Sequence, residues 1–333
     1  MASLLEFTKE GIYCREADVY IDPWKPVRKA LITHAHSDHA RSGMSQYLCH
    51  RYTAPILRHR LGSNLNIQTI EYGEKVYING VTFSFHPAGH VVGSAQIRVE
   101  HRGEVWVVSG DYKVMDDEFT TPFESVKCHT FITECTFGLP IFRWQPQSEV
   151  LKSITSWWEG NQQENKVGVL CAYSLGKAQR ITQALPDLGK VYVHGAVHAI
   201  NTIVQDEYRS FNKPFYPVTN NLKPEDFKGS IVVTPSSAAF SNWTKRFGNV
   251  SIAGCSGWMQ MRGSRRRQNY DRGFVMSDHA DWPGLLHAIQ QSGAERVITT
   301  HGYTDTFTEY LNELGIQSVT EKTSFETEDA ERE

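Results

Sequence analysis

A chain of 333 residues, 40% of them hydrophobic and with a formal net charge of −3, can bury a sizeable core as one large domain or two. No apolar run approaches the roughly 20 residues that span a bilayer, and the N-terminus lacks the basic start and apolar run of a signal peptide, so a cytoplasmic protein without a membrane partner is expected. The slight negative charge gives no global argument for nucleic-acid binding, which would need a local basic surface. The six cysteines form no Cys-x-x-Cys pair, which excludes a zinc ribbon or thioredoxin-type motif.

Residues 12–15 and 19–22 read as short strands, the second closed by Asp22-Pro23. Lys29-Ala-Leu-Ile-Thr33 reads as a buried strand. It ends at His34-Ala-His36-Ser-Asp38-His39, where four metal-ligand types fall within six residues. His34 and His36, two apart, share one side of an extended segment, whereas Asp38 and His39 follow a turn and face a second point. Residues 40–48 read as a helix after the cluster. Strand patterns follow at 75–78, 81–85, 96–100, 104–109 and 131–134, with Gly80 and Gly103 at hairpin turns. From residue 148 the regime changes. Helices at 148–159 and 199–208, and a loop into a helix at 173–185, alternate with strands at 167–172, 190–194, 230–234 and 250–253, which predicts a parallel α/β sheet. The alternation resumes at 273–276, 287–291, 296–300 and 306–314. From Glu326 onward five acidic residues stand against one basic, with no apolar pattern, the composition of a disordered tail.

The remaining ligand types stand at strand ends beside glycine: His90 after Gly89, Asp111 after Gly110, and His301 before Gly302. Glycine there lets backbone crowd close to an ion. Singly each could be structural; jointly they complete two coordination spheres that the first cluster cannot fill. The economical assignment gives His34, His36 and His90 to one ion, Asp38, His39 and His301 to a second, and Asp111 to both, with room between for a shared hydroxide. Imidazole and carboxylate suit zinc, with manganese the alternative.

The order His-x-His-x-Asp-His, Gly-His, Gly-Asp resembles that of the metallo-β-lactamase superfamily, with Asp22 matching its first aspartate. Thr133-Glu134-Cys-Thr-Phe resembles motif A of the β-CASP nucleases, Ser277-Asp-His279-Ala-Asp their motif B, and Thr300-His301-Gly302 their motif C. The resemblance covers nearly the whole chain. It implies an αββα metallo-β-lactamase sandwich (1–147 with 270–325), an inserted parallel α/β β-CASP domain (148–269) and a tail (326–333). It further implies a dinuclear-metal phosphodiesterase in which the shared hydroxide attacks, His279 protonates the leaving oxygen and Asp38 orients the hydroxide. Glu134 would orient His279 and favour its charged form. For Asp22 two readings stay open: a carboxylate bonded to the ligand loop, and a turn former before Pro23. The short length and residues 173–180 and 278–284 most resemble bacterial ligase-associated DNA exonucleases. That implies DNA as the nucleic-acid partner, RNA as the alternative, a role in DNA repair, and a DNA ligase or helicase as protein partner.

Ser174, Gly176 and Lys177 at a helix N-terminus could take a phosphate through backbone N–H groups and the lysine, or could be a helix cap with an exposed lysine. Ser236 after an apolar strand offers the same. Arg262 heads the densest basic run, suited to a phosphate backbone or to a solvated loop. Competing activities are an RNA 3′-end-processing or RNA-degrading nuclease, which the motif C histidine permits; a small-molecule metallo-hydrolase, which needs neither the insertion nor His279; and an inactive nucleic-acid-binding scaffold, against which the complete ligand set argues.

Overall fold

A computed structural model describes residues 3–261 and 263–323; the expected acidic tail lies outside the described residues, as does Arg262. Two compact units divide the chain, one of residues up to Phe142 together with those from Asp278, the other Arg143–Ser277. No described helix is long and apolar enough to cross a membrane.

Period-two burial sets the layers of the first unit. In the Glu104–Val108 strand, Trp106 and Val108 enter one core and Val105 and Val107 another. Ile132 and Phe131 of Thr130–Cys135 divide the same way, as do Ile298 and Val297 of Arg296–Gly302. These strands belong to a seven-stranded sheet ordered Gln317–Thr320, Arg296–Gly302, Thr130–Cys135, Glu104–Val108, Ala95–His101, Val81–Pro87, Lys75–Ile78. One face meets a six-stranded sheet that takes the chain in order through Glu6–Phe7, Ile12–Cys14, Val19–Ile21, Lys29–Ile32, Gln46–His50 and Ile67–Ile70. Their shared core sets Ile12, Ile21, Leu31 and Leu48 against Phe83, Phe85, Ile97 and Trp106. Helices Trp282–Ser292 and Thr304–Glu313 cover the other face through Leu285, Ile289, Phe307 and Leu311.

Strand direction decides where the loops gather. Thr130–Cys135 runs parallel to both Glu104–Val108 and Arg296–Gly302. Two successive antiparallel pairings, through Ala95–His101, give Val81–Pro87 the same direction. The four strands that precede or contain His90, Asp111, Glu134 and His301 therefore end along one edge of the sheet.

In the second unit all six strands are parallel, ordered Phe215–Pro217, Val191–Val193, Ile231–Thr234, Val167–Cys171, Val250–Cys255, Arg272–Phe274. A parallel sheet needs crossovers and is covered on both faces. Helices Gln147–Gln163, Lys177–Ala184 and Gly195–Glu207 bring Ile154, Trp158, Ile181 and Val197 to one face, while Phe227, Ala239, Phe247 and Tyr270 cover the other. The strand–helix alternation read from residue 148 onward thus forms a parallel sheet.

Residues 40–48, expected as a helix, are not one. Gly43 turns the chain at φ +97° against Pro26, and Gln46–His50 joins the first sheet parallel to Lys29–Ile32 and Ile67–Ile70. Tyr47, Leu48 and Cys49 are all buried, so no polar face shows the strand period, and the helix is Thr53–Leu61 instead.

That strand ends on His50, fully buried and stacked on Tyr72 with ring centroids 3.7 Å apart. Burial pushes its pKa down to about 4, so the folded ring is neutral. The unfolded imidazole takes its proton near pH 6.5 and so binds more protons between those values. Its contribution is complete above the unfolded pKa and falls away as pH drops toward about 4, by up to about 3 kcal/mol. Urea unfolding of wild type and His50→Leu at about pH 7 and about pH 4.5 checks this. The substitution should remove roughly 2 kcal/mol of the wild-type loss between the two conditions; an unchanged loss would assign the acid sensitivity elsewhere.

Candidate metal centre

The Lys29–Ile32 strand runs into the ligand loop, and the neighbouring Val19–Ile21 strand ends at Asp22. Asp22 adopts φ +43°, a region an aspartate tolerates better than most residues. Its Oδ1 accepts the Thr33 N–H at 2.8 Å; its Oδ2 accepts the Thr33 hydroxyl at 2.6 Å and lies 2.7 Å from His39 Nδ1. Asp22 therefore binds the ligand loop through three contacts.

His34 Nε2 and His90 Nε2 lie 3.1 Å and 3.0 Å from His36 Nδ1. Asp111 Oδ2 is 3.5 Å from His34 Nε2 and 3.7 Å from His90 Nε2. The other oxygen, Oδ1, is 3.3 Å from His39 Nε2, which in turn lies 3.7 Å from Asp38 Oδ2. Two groups of donor atoms, each within 4.8 Å, thus share Asp111: one with His34, His36 and His90, the other with Asp38 and His39.

The chemistry of these donors fits divalent ions. His90 Nδ1 lies 2.7 Å from the Asp278 carbonyl oxygen, which only accepts, so Nδ1 carries the hydrogen and Nε2 a lone pair. A lone pair packed against other ring nitrogens at 3.0 Å is stabilised by a cation there. His39 Nε2 is buried and, among the described residues, faces only the Asp111 and Asp38 carboxylates, at 3.3 Å and 3.7 Å. Without an ion, burial holds His34 and His90 well below the usual histidine range. Burial acts the same way on His39, but Asp111, Asp38 and Asp22 outweigh it and raise its pKa. Burial would raise Asp111, yet His39, His279 and His34 hold it well below the usual carboxylate range.

His301 is not drawn into the second donor group. Its backbone is left-handed, at φ +53°, and its ring centroid is 5.4 Å from that of His39. Its Nε2 pairs with the Thr323 hydroxyl at 3.2 Å, and desolvation lowers its pKa. Gly302 must follow it, because a Cβ there would fall 2.2 Å from the Cys135 carbonyl oxygen.

Glu134 and His279, 145 residues apart, meet beside these groups, with His279 Nδ1 at 2.9 Å from both carboxylate oxygens. The same carboxylate accepts the Tyr112 N–H at 3.0 Å and the Thr136 N–H at 3.3 Å. With Asp111 the pair makes a third convergent group.

Ser174, Gly176, Lys177 and Ser236 belong to the second unit. Of the groups expected to cradle a phosphate, the Gly176 N–H already donates to Gln179 Oε1 at 2.6 Å, and Lys177 is buried, not the exposed lysine of the alternative reading. Ser236 opens the four-residue helix Ser236–Ala239, and its hydroxyl pairs with that of Tyr270 at 2.8 Å.

Sequence reasoning missed the supports of the His90 loop. Ser94 Oγ accepts the N–H groups of His90 and Val91. The buried Asp117 pairs with Lys113 at 2.8 Å and accepts the Phe119 and Thr120 N–H groups. The one available signal was the serine four residues beyond Gly-His.

No family model matches the chain. It is 29% identical over 314 residues to a protein described as "Probable DNA ligase" from Opitutus terrae, a stretch that makes up 92% of this chain and 30% of that one. It is 28% identical over 123 residues to cleavage and polyadenylation specificity factor subunit 3 of Dictyostelium discoideum, covering 36% of this chain and 16% of the relative. Endoribonuclease ysh1 of Aspergillus fumigatus is 28% identical over 140 residues, 38% of this chain and 16% of the relative. The chain spans less than a third of the length of these curated relatives. A protein of unknown function from Enterococcus faecalis V583 has a similar fold, with a TM-score of 0.57 over 90% of this chain and 79% of that one at 12% identity.

Gly89 gives a test of the His90 loop. It sits at φ +72°, and a Cβ there would fall 2.3 Å from the Lys113 carbonyl oxygen. Gly89→Ala should cost more than about 1 kcal/mol in urea unfolding and lower the divalent metal retained per chain, measured by atomic emission. Wild-type values of both would show that the loop tolerates a side chain.

Proposed function

We infer that this chain, homologous to the β-CASP nucleases of the metallo-β-lactamase superfamily, is a metal-dependent phosphodiesterase that degrades DNA from strand ends. The observation that carries the reading is Asp111 shared between two buried donor groups, with the Glu134–His279 pair alongside. The likeness of nearly the whole chain to part of a probable DNA ligase favours DNA as substrate and a DNA ligase, or a helicase acting with one, as partner. In this reading the unit that ends at Phe142 and resumes at Asp278 is the αββα sandwich and Arg143–Ser277 the β-CASP insertion; the expected bounds, 148–269, leave out the strand Arg272–Phe274, which pairs with Val250–Cys255. Two sheets sharing one core, with helices outside, support the first assignment, and the all-parallel sheet supports the second.

His34, His36, His90 and Asp111 would hold one ion; Asp38, His39, Asp111 and His301 a second; zinc is proposed, with manganese the alternative. Such ions offset phosphate charge and lower the pKa of water. Asp22 and the Asp278 carbonyl orient His39 and His90 so that each presents Nε2. Half-buried Asp38 orients the attacking water. Glu134 accepts a hydrogen bond from His279 Nδ1–H, so the proton that reaches the leaving oxygen comes from Nε2. RNA is the second reading, favoured by the likeness to the endoribonuclease and the polyadenylation factor.

His279→Ala should cost about 10²–10⁴-fold in kcat on DNA and far less on an aryl phosphodiester whose leaving group needs no proton. Equal losses on both would remove His279 as the acid. End-labelled single-stranded DNA, duplex DNA and RNA, digested side by side with zinc, manganese or magnesium, decide the substrate. Progressive shortening of DNA is expected; RNA cleavage with DNA intact would replace the leading reading by the second.

A further inference from the structure

We propose that Thr33 is a positioning residue which, with Asp22, sets the ring tautomer of one histidine in each donor group. The proposal rests on the metal-binding reading above. A threonine hydroxyl has one hydrogen and two lone pairs. That of Thr33 lies 2.6 Å from Asp22 Oδ2 and 3.1 Å from His34 Nδ1. An ionised carboxylate only accepts, so the hydroxyl hydrogen goes to Asp22. The hydroxyl oxygen must then accept from His34, whose Nδ1 carries the ring hydrogen. His34 is thereby held with its Nε2 lone pair toward His36 Nδ1 and Asp111 Oδ2. The same Asp22 Oδ2 contacts His39 Nδ1 at 2.7 Å and orients that ring directly. One carboxylate thus reaches the second group by contact and the first through a single hydroxyl.

The surroundings leave room for little else. Thr33 is buried, and a Cβ on Gly110 would fall 2.6 Å from its Oγ1, so the hydroxyl is wedged against the residue that precedes Asp111. The Thr33 carbonyl accepts the Ala95 N–H at 2.8 Å, which anchors the backbone independently of the side chain. Valine replaces the hydroxyl with a methyl group of similar size, leaving Asp22 its contact with His39 but His34 Nδ1 with no acceptor. Serine keeps the hydroxyl.

The test compares the zinc-loaded full chain as wild type, Thr33→Val and Thr33→Ser, in competition with a chromophoric chelator. Zinc should leave the valine variant at about 10–100-fold lower chelator, while the serine variant stays within about threefold of wild type. Far-UV circular dichroism on heating checks that all three are folded. Wild-type zinc retention in the valine variant overturns the proposal, and so does equal loss in both variants, which would assign the effect to the methyl group. The ¹⁵N–¹H pattern of the His34 ring, read without metal, separates this failure from that of the metal reading. Nδ1–H is expected in wild type and serine, even if no zinc binds. An Nε2–H ring in wild type overturns the proposal whatever the chain does with zinc.

Discussion

A carboxylate taken out of water is tolerated only when donors replace the lost hydration. Asp22 is buried, and all three of its donors come from two residues, Thr33 and His39, which bracket the ligand loop. The loop cannot leave its place without stripping that carboxylate of partners. Local geometry at His34 and His39 therefore follows from desolvation at a residue 11 positions before Thr33 and 17 before His39. The left-handed backbone at Asp22 is part of the same constraint, since the side chain must turn back across the adjacent strand.

The second sheet supplies its residues by a different means. His90, Asp111, Glu134 and His301 are far apart in sequence, yet their strands all end at one edge because direction is conserved through the pairings. The assembled set is in conflict with itself when no cation is present. Burial drives His34 and His90 toward neutrality while the carboxylates draw a proton to His39. A folding core would not gather these groups; His50, stacked on Tyr72 with a single exposed carboxylate, Glu71, 3.9 Å away, is held neutral by burial and by the Arg51 charge. Local disagreement of this kind marks positions retained for chemistry rather than for stability.

Ligand types were legible because they crowd six residues after an apolar strand and recur beside glycine at later strand ends. The alternation of the second unit was legible because buried parallel strands are apolar throughout. Other features have no signature in one dimension. Gln46–His50 is too short and too completely buried to declare a period. Gly176 and Lys177 look alike in sequence whether or not the turn is closed by its own Gln179, and only the contact at 2.6 Å shows that it is. Thr33 and Ser94 are ordinary hydroxyl residues until their acceptors and donors are known. Glu134 and His279 could be paired only through family resemblance, since no local pattern spans the 145 residues between them.

The donor groups and the Glu134–His279 pair are mechanically one assembly. Three contacts lace residues 278–280 to the ligand strands: the Asp278 carbonyl to His90 Nδ1, His279 to Glu134, and the Ala280 N–H to the Tyr112 carbonyl at 2.6 Å. Tyr112 follows Asp111 directly, and its own N–H closes the circuit by donating to Glu134. Any shift of the shared carboxylate moves the Tyr112 peptide, and through it both the residue that orients His279 and the segment that carries it. Distance between Asp111 and His279 is thus held by hydrogen bonds among a few residues, not by the packing of whole elements. That is the tolerance the proposed reaction would need, since a misplacement of about 1 Å can cost about 10²-fold in rate.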